Sequence, residues 1–194
     1  MTGRPAPGPA VPVRRSRIDG RASIGHHGRV GGLDGLRISP AVPSDLDALG
    51  RLFPELAGYY RDRARQAGIL LVARVGRRPL GAAYVSTRPA VEPEIVRRLG
   101  PVPMLHKLMV DETVRGRRVG TRIVRAAEIV LRRQGRRRVA VGVDLGNAGA
   151  VRLYLRLGYR EWAWGLLDTV REHADEAGKI IVVPDVCRVF VKNL

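Results

Sequence analysis

Two short stretches of this chain hold residue types at spacings that could do chemistry. The first is Val114-Arg-Gly-Arg-Arg-Val-Gly-Thr121, between an apolar run that ends at Val110 and an amphipathic run that begins at Val119. The first N–H groups of a helix lack intrahelical partners and carry the positive end of the helix dipole, so a helix starting here presents donors to a phosphate. Gly116 and Gly120 let the backbone approach an anion with no side chain in the way, and Arg115, Arg117 and Arg118 add charge. A surface turn with solvated arginines has the same composition, so this stretch alone leaves both readings open. The second stretch runs from Asn147 through Ala150, Leu153, Tyr154 and Leu157 to Gly158 and Tyr159. Ala150, Leu153 and Leu157 share one helical face, with Tyr154 one step beside it. Taken by itself, Asn147 reads as a helix N-cap and Tyr154 as a half-buried core aromatic.

Hydrophobic periodicity supplies the elements that must position these residues. Leu36 to Ser39 reads as a short strand. Pro43-Ser-Asp45 then reads as a helix start, with Ser44 as N-cap and Leu46, Leu49, Leu52 and Phe53 at helical spacing. Ile69 to Val75 and Leu80 to Val85, on either side of a Gly76–Pro79 turn, read as a hairpin. Pro89 to Pro103 is a proline-studded connection carrying Glu92 and Glu94, and Met104 to Val110 is the next strand. Residues 119 to 134 read as the clearest helix, with Val119, Ile123, Ala126, Ala127, Val130 and Leu131 on one apolar stripe and Gly135 as its stop. A strand at Val139–Val143, a helix at Asn147–Leu157 and a strand at Tyr159–Leu166 follow. Ile180–Val183 reads as connection before a last strand, Cys187–Val191. A hairpin followed by alternating strands and helices argues a mixed α/β sheet of six or seven strands.

Composition bounds the rest. The chain has 194 residues, room for one domain with a tail, and a hydrophobic content of 45% allows a real core. No apolar run reaches the roughly 18 residues of a membrane span, so a membrane partner is not expected. The one cysteine, Cys187, cannot form an intramolecular disulfide, which suits a reducing cytoplasm; no metal site is expected either. Residues 1–34 hold four prolines, many glycines and six arginines against two aspartates, with no aromatic apart from His26 and His27. They read as a flexible tail, and 35–194 as the folded domain. The net charge of +17 calls for an anionic partner, and 24 residues, Arg115 to Arg138, hold ten bases against one acid, Glu128.

Together the two motifs resemble those of the GNAT superfamily of acyl-coenzyme-A-dependent N-acetyltransferases. That family reads Gln/Arg-x-x-Gly-x-Gly/Ala after a central strand, then Asn-x-x-Ala-x-x-Leu-Tyr-x-x-x-Gly-Phe/Tyr. Here Arg115-x-x-Arg118-x-Gly120 matches two of three positions, and Asn147, Ala150, Leu153, Tyr154, Gly158 and Tyr159 match the second motif fully. The resemblance implies an α/β (α+β) fold, a mixed, mostly antiparallel six- to seven-stranded sheet flanked by helices, whose splayed central strand pair holds acetyl-CoA. It implies that the amides and side chains of Arg115, Gly116, Arg117, Arg118, Val119, Gly120, Thr121 and Arg122 meet the pyrophosphate. Leu108, Met109 and Val110 would pair with the pantetheine, and the Val110 N–H would polarise the thioester carbonyl. The residue matching Asn147 would hold the cofactor arm, and Tyr154 would protonate the departing thiolate. No covalent enzyme intermediate is implied.

Two departures follow from the same comparison. Arg118 stands where the family has its middle glycine, and is expected to add a cationic contact to the phosphates. Many relatives carry a glutamate five residues ahead of the asparagine, where this chain has Gly142; Asp144, His106 and Glu161 are the candidate substitutes as general base. Arginines at the far end of the helix, about 20 Å away, are beyond reach of the cofactor. Glu92, Glu94 and the acidic segment Asp168–Glu176 are expected to border the acceptor, an amine of a small molecule or peptide. A homodimer is in keeping with the family. Two alternatives remain open on the sequence: an acyl-CoA-binding relative with weak turnover, and a nucleic-acid or ribosome-associated module using the arginine ridge. Against the latter, no aromatic interleaves the ridge.

Overall fold

The computed structural model of the chain describes residues 33–174 and 180–194, with side chains throughout these except at 171–174 and 180. The tail expected over residues 1–34 therefore lies, but for its last two residues, outside the described residues. The element order is β1 (Arg37–Pro40), α1 (Pro43–Leu52), α2 (Ala57–Arg63), β2 (Gly68–Val75), β3 (Arg78–Pro89), α3 (Pro93–Leu99), β4 (Pro103–Val110), α4 (Val119–Arg133), β5 (Arg138–Asp144), α5 (Ala148–Arg156), β6 (Arg160–Ala174) and β7 (Ile180–Asn193). The strands form one seven-stranded sheet in the order β1-β2-β3-β4-β5-β7-β6, and only β4 and β5 run parallel.

Alternation along the strands puts side chains on both faces. Leu70 and Val72 of β2 and Ala82 and Tyr84 of β3 pack beneath Leu49 of α1, Phe53 just after it, and Tyr59 and Tyr60 of α2. On the opposite face α4 lies so close that a Cβ on Gly81 would stand 3.2 Å from Ile123 Cδ1 and 2.6 Å from the Met109 carbonyl oxygen. Gly81 is thus required by close approach rather than by its dihedral angles. A second apolar cluster joins Ile95 and Leu99 of α3 to Met104, Ala140, Trp162 and Val189.

Several expectations need correction. α1 starts at Pro43 with Val42, not Ser44, as N-cap, because proline suits the first helical position. Asp45 accepts the Val42 N–H at 2.8 Å and pairs with Arg74 at 2.9 Å, which is why a nearly buried carboxylate is tolerated there. α2 was not foreseen. The connection from Pro89 to Pro103 contains α3, whose Ile95 and Leu99 are buried and whose Glu94 pairs with Arg97 and Arg98. The apolar stripe of α4 is turned relative to expectation: Val124 and Glu128 are buried, while Ala126 and Val130 are half-buried. Glu128 can face inward because Lys192 Nζ lies 2.9 Å from both its carboxylate oxygens. Ile180–Val183 belongs to β7, paired with the outer half of β6.

The feature that positions the site is a bulge in β4. Ala82 and Tyr84 of β3 pair with Met109 and His106, so three steps on β4 oppose two on β3. The extra residue, Lys107, takes φ 48°, and the buried Tyr60 hydroxyl donates to its carbonyl at 2.9 Å. Beside the bulge, pairing between β4 and β5 is confined to Met104 with Ala140 and Leu105 with Val141. Beyond Leu105 the two strands separate.

Candidate active site

The separation of β4 and β5 opens a cavity of about 340 Å³. Leu108 and Met109 form one wall and Gly142, Val143 and Asp144 the other, with Asn147, Ala150 and Tyr154 of the α5 region between them. Of the two motifs only the second lines this space; the first helical turn of α4, which carries the end of the first, lies next to it. A Cβ on Gly120 would lie 3.6 Å from Val110 Cγ2 and Leu153 Cδ2 and 3.8 Å from Leu108 Cδ2, which places this turn against the end of β4 and against α5.

The start of α4 has the features of an anion site. Arg118 is its N-cap and takes φ 64°, ψ 14°, in the left-handed region, with no side-chain hydrogen bond to the helix end. That conformation explains the glycine other family members carry at this position. The first helical bond is donated by Arg122 N–H to the Arg118 carbonyl at 3.0 Å, so the N–H groups of Val119, Gly120 and Thr121 precede it. Arg117 and Arg118 are exposed beside them. Val119 is buried, so only its amide can serve a ligand. Two arginines are directed elsewhere. Arg122 donates to the Leu36 carbonyl at 2.8 Å, and Arg115 pairs with Glu112 at 2.9 Å and reaches the Val110 carbonyl at 3.3 Å.

Tyr154 is 3% exposed, edge-on to Tyr159 at 5.1 Å and stacked on Phe190 at 6.5 Å. Its hydroxyl has no hydrogen-bond partner among the described residues, although its ring lines the cavity. Burial pushes the phenol above its ordinary pKa, so it carries its proton throughout the neutral range. Asn147 takes the capping role open to it on sequence: its Oδ1 accepts the Ala150 N–H at 2.9 Å, while the residue itself stays exposed on the cavity wall.

The structure separates the three candidate bases. Asp144 is exposed on the cavity wall. His106 also lines the cavity, but burial, with Arg63 and Lys107 nearby, holds its pKa down to about 4, so it is neutral and weakly basic at pH 7. Glu161 lies off the cavity, paired with Arg188 across β6 and β7. Gly142 packs against β7, where a Cβ would stand 3.1 Å from Cys187 Sγ; a larger side chain there requires that thiol to move.

Carboxylates surround this cavity in an otherwise basic protein. Glu55, Glu92, Asp144 and Asp185 line it, and Asp168 joins Asp144 and Asp185 in an adjoining outer recess. Burial and the fields of Asp185, Glu92 and Asp144 push the Cys187 thiol up to about 11, so it stays protonated and is no nucleophile. Glu92 and Asp168 were expected here. Glu94 instead pairs with Arg97 and Arg98 on α3, and residues 171–176 lie outside the described side chains. Glu55 and Asp185 were missed, because lone acids at chain positions 130 residues apart carry no local signal.

Part of the arginine ridge is structural. Arg136 donates to the Thr87 carbonyl at 3.0 Å and Arg132 approaches Glu128 at 3.9 Å, whereas Arg125, Arg133, Arg137 and Arg138 are exposed. Among the described residues no group of three or more metal-ligating side chains converges, and no helix is long and apolar enough to cross a membrane.

A splayed β4–β5 pair with an open helix start beside it is the arrangement that the resemblance to the GNAT superfamily implies. The model of the acetyltransferase (GNAT) family matches residues 23–159, and the chain belongs to that family of acetyl-CoA-dependent N-acyltransferases. An uncharacterized N-acetyltransferase of Methanocaldococcus jannaschii, MJ1207, is 38% identical over 60 residues, 31% of this chain. The match spans about a quarter (26%) of that relative's length. Among solved structures, the Drosophila melanogaster polyamine N-acetyltransferase superposes with a TM-score of 0.57 at 21% identity, covering 82% of this chain and all (100%) of that one. The Salmonella typhimurium protein yncA, solved with its cofactor acetyl-CoA, gives 0.57 at 15% identity over 82% and 94% of the two chains.

Proposed function

We propose that the chain moves an acetyl group from acetyl-CoA to a primary amine of a small molecule or peptide, with Tyr154 as general acid. The observation that carries this is Tyr154: a buried, protonated phenol that lines the cavity between the splayed strands. The residues present fit the donor. The amides of Val119, Gly120 and Thr121, with Arg117 and Arg118, would hold the pyrophosphate, and Leu108, Met109 and Val110 the pantetheine arm. Bound acetyl-CoA supplies the activated thioester that the amine attacks directly, and leaves as the thiol. The Val110 N–H is assigned to the thioester carbonyl, as a fixed dipole toward developing negative charge.

The acid rim raises the local concentration of protonated amine. Asp144 is the better placed of the two candidate bases on the cavity wall, since its side chain is exposed to solvent, which can carry the proton away, whereas His106 is half-buried. Tyr154 then donates its proton to the departing sulfur. Replacing Tyr154 by Phe keeps the ring and removes only the hydroxyl. Expected is a fall in kcat of about 100-fold, the lower end for acid–base catalysis, with the acetyl-CoA affinity measured by calorimetry within about twofold. An unchanged kcat in a thiol-release assay removes Tyr154 from this role.

A further inference from the structure

A second cavity, of about 500 Å³, adjoins the first and is lined by three arginines against one acid, Glu92. The two share Glu92, Met104 and His106, so they meet at these side chains. Arg63 and Arg65, at and just after the end of α2, and Arg88 on β3 line the second cavity. Its floor is aromatic: Tyr59 and Tyr84 meet edge to face at 6.4 Å, and the Arg63 guanidinium lies 4.9 Å from one ring centroid and 5.8 Å from the other. The floor is held in place, since the Tyr84 hydroxyl donates to the Ala67 carbonyl at 3.1 Å and the Arg63 side chain donates to Gln66. Arg65 and Arg88 are exposed and form no ion pair with any described residue.

These cations are not explained by the donor. The start of α4 lies beyond Val110 at one end of β4, whereas this cavity is reached at the other end, by Met104 and His106. Arg65 and Arg88 have no counter-ion among the described residues, whereas Arg63 pairs with Asp62, and the space beside them adjoins the acid-lined cavity where the amine reacts. We infer that the acceptor carries an anionic oxygen group, carboxylate or phosphate, which seats between Arg65 and Arg88 above the aromatic floor while its amine reaches past His106 into the β4–β5 cavity. The assignment of this molecule as the acceptor rests on the acetyltransferase function proposed above. From His106 the reaction cavity runs on to Met109, three residues that include the bulge at Lys107 and oppose two steps of β3, about 7 Å at a strand's rise. Amine and anion are therefore several bonds apart, which disfavours α-amino acids and favours ω-amino acids, aminoalkyl phosphates or short peptides with a terminal acid.

The test is a thiol-release assay on the full chain with 6-aminohexanoate, 5-aminopentyl phosphate, 6-aminohexanol and 1,6-diaminohexane. One of the two anionic amines is expected to exceed the neutral and dicationic chains by about tenfold or more in kcat/KM, and which one identifies the oxygen group. In the double variant Arg65→Gln/Arg88→Gln that preference is expected to fall about tenfold through KM, with the neutral chain within about twofold. Equal or better turnover of the neutral or dicationic chain overturns the inference, as does an equal loss for every acceptor. Calorimetry of 6-aminohexanoate and 5-aminopentyl phosphate with coenzyme A present supplies a readout without turnover. Binding that the double variant loses sustains the anion subsite even if no acceptor releases thiol, in which case the acetyltransfer reading is the one that fails. No binding of either compound to the wild-type chain sinks the subsite.

Discussion

Two helix starts lie beside the parted ends of β4 and β5 and are finished in opposite ways. α5 is closed by its own sequence: Asn147 Oδ1 accepts the Ala150 N–H at 2.9 Å. α4 is left open, with a left-handed Arg118 at its N-cap, no side-chain cap and two exposed cations beside it. Capping satisfies orphan donors and stabilises a helix by about 1 kcal/mol. A non-glycine residue in the left-handed region costs about 1 kcal/mol or more. The start of α4 thus forgoes a cap and carries strain, the combination expected where donors are reserved for a ligand rather than for the fold.

The sharpest way to break this contrast is to close α4 with an anion of its own. Arg118→Asp supplies a capping carboxylate that tolerates the left-handed region and reverses the charge beside the phosphates. Acetyl-CoA affinity by calorimetry is expected to fall about 100-fold, the scale of losing one charged hydrogen bond and gaining a repulsion, while the melting temperature holds or rises. Arg118→Gly isolates the strain: stability is expected to rise by about 1 kcal/mol, seen as a melting shift of about 2–4 °C, with affinity lowered about tenfold. A fall in stability with either variant would mean that Arg118 serves the fold.

The complementary change opens α5. Asn147→Ala is expected to cost about 1 kcal/mol in denaturant unfolding, and any loss of acetyl-CoA affinity beyond about twofold assigns Asn147 a ligand contact besides the cap. The smallest effect expected concerns pH. His106 has a folded pKa lowered to about 4 from an ordinary 6.5, so the unfolded chain binds more protons between those values. Its contribution to stability is complete above about 6.5 and is lost as pH falls toward 4. His106→Asn is expected to flatten the acid limb of a stability–pH curve over that window; an unchanged limb means that other groups set it.

The same contrast separates what was legible in the sequence from what was not. The donor half, Met104 to Tyr159, was legible because a strand, a glycine-bearing turn and two amphipathic helices follow one another in the chain, each with a local pattern. Even there the patterns had limits. The bulge at Lys107 depends on the Tyr60 hydroxyl from α2, 47 positions upstream, and the inward turn of Glu128 depends on Lys192, 64 positions downstream. The seven-residue helices α2 and α3 were missed since two turns are too short for periodicity to stand out between prolines and charges.

The sequence by itself determined the alternation of strands and helices, the position of the glycine- and arginine-bearing turn and the placement of Asn147 and Tyr154 on one short helix, because each rests on residues within a few turns of one another. Only the tertiary structure decided that β4 and β5 part after Leu105, that Arg122 serves the fold, and that acids from four separate segments and arginines from two meet on either side of His106. Those juxtapositions are set by pairing register and by packing across the sheet. No local spacing encodes them.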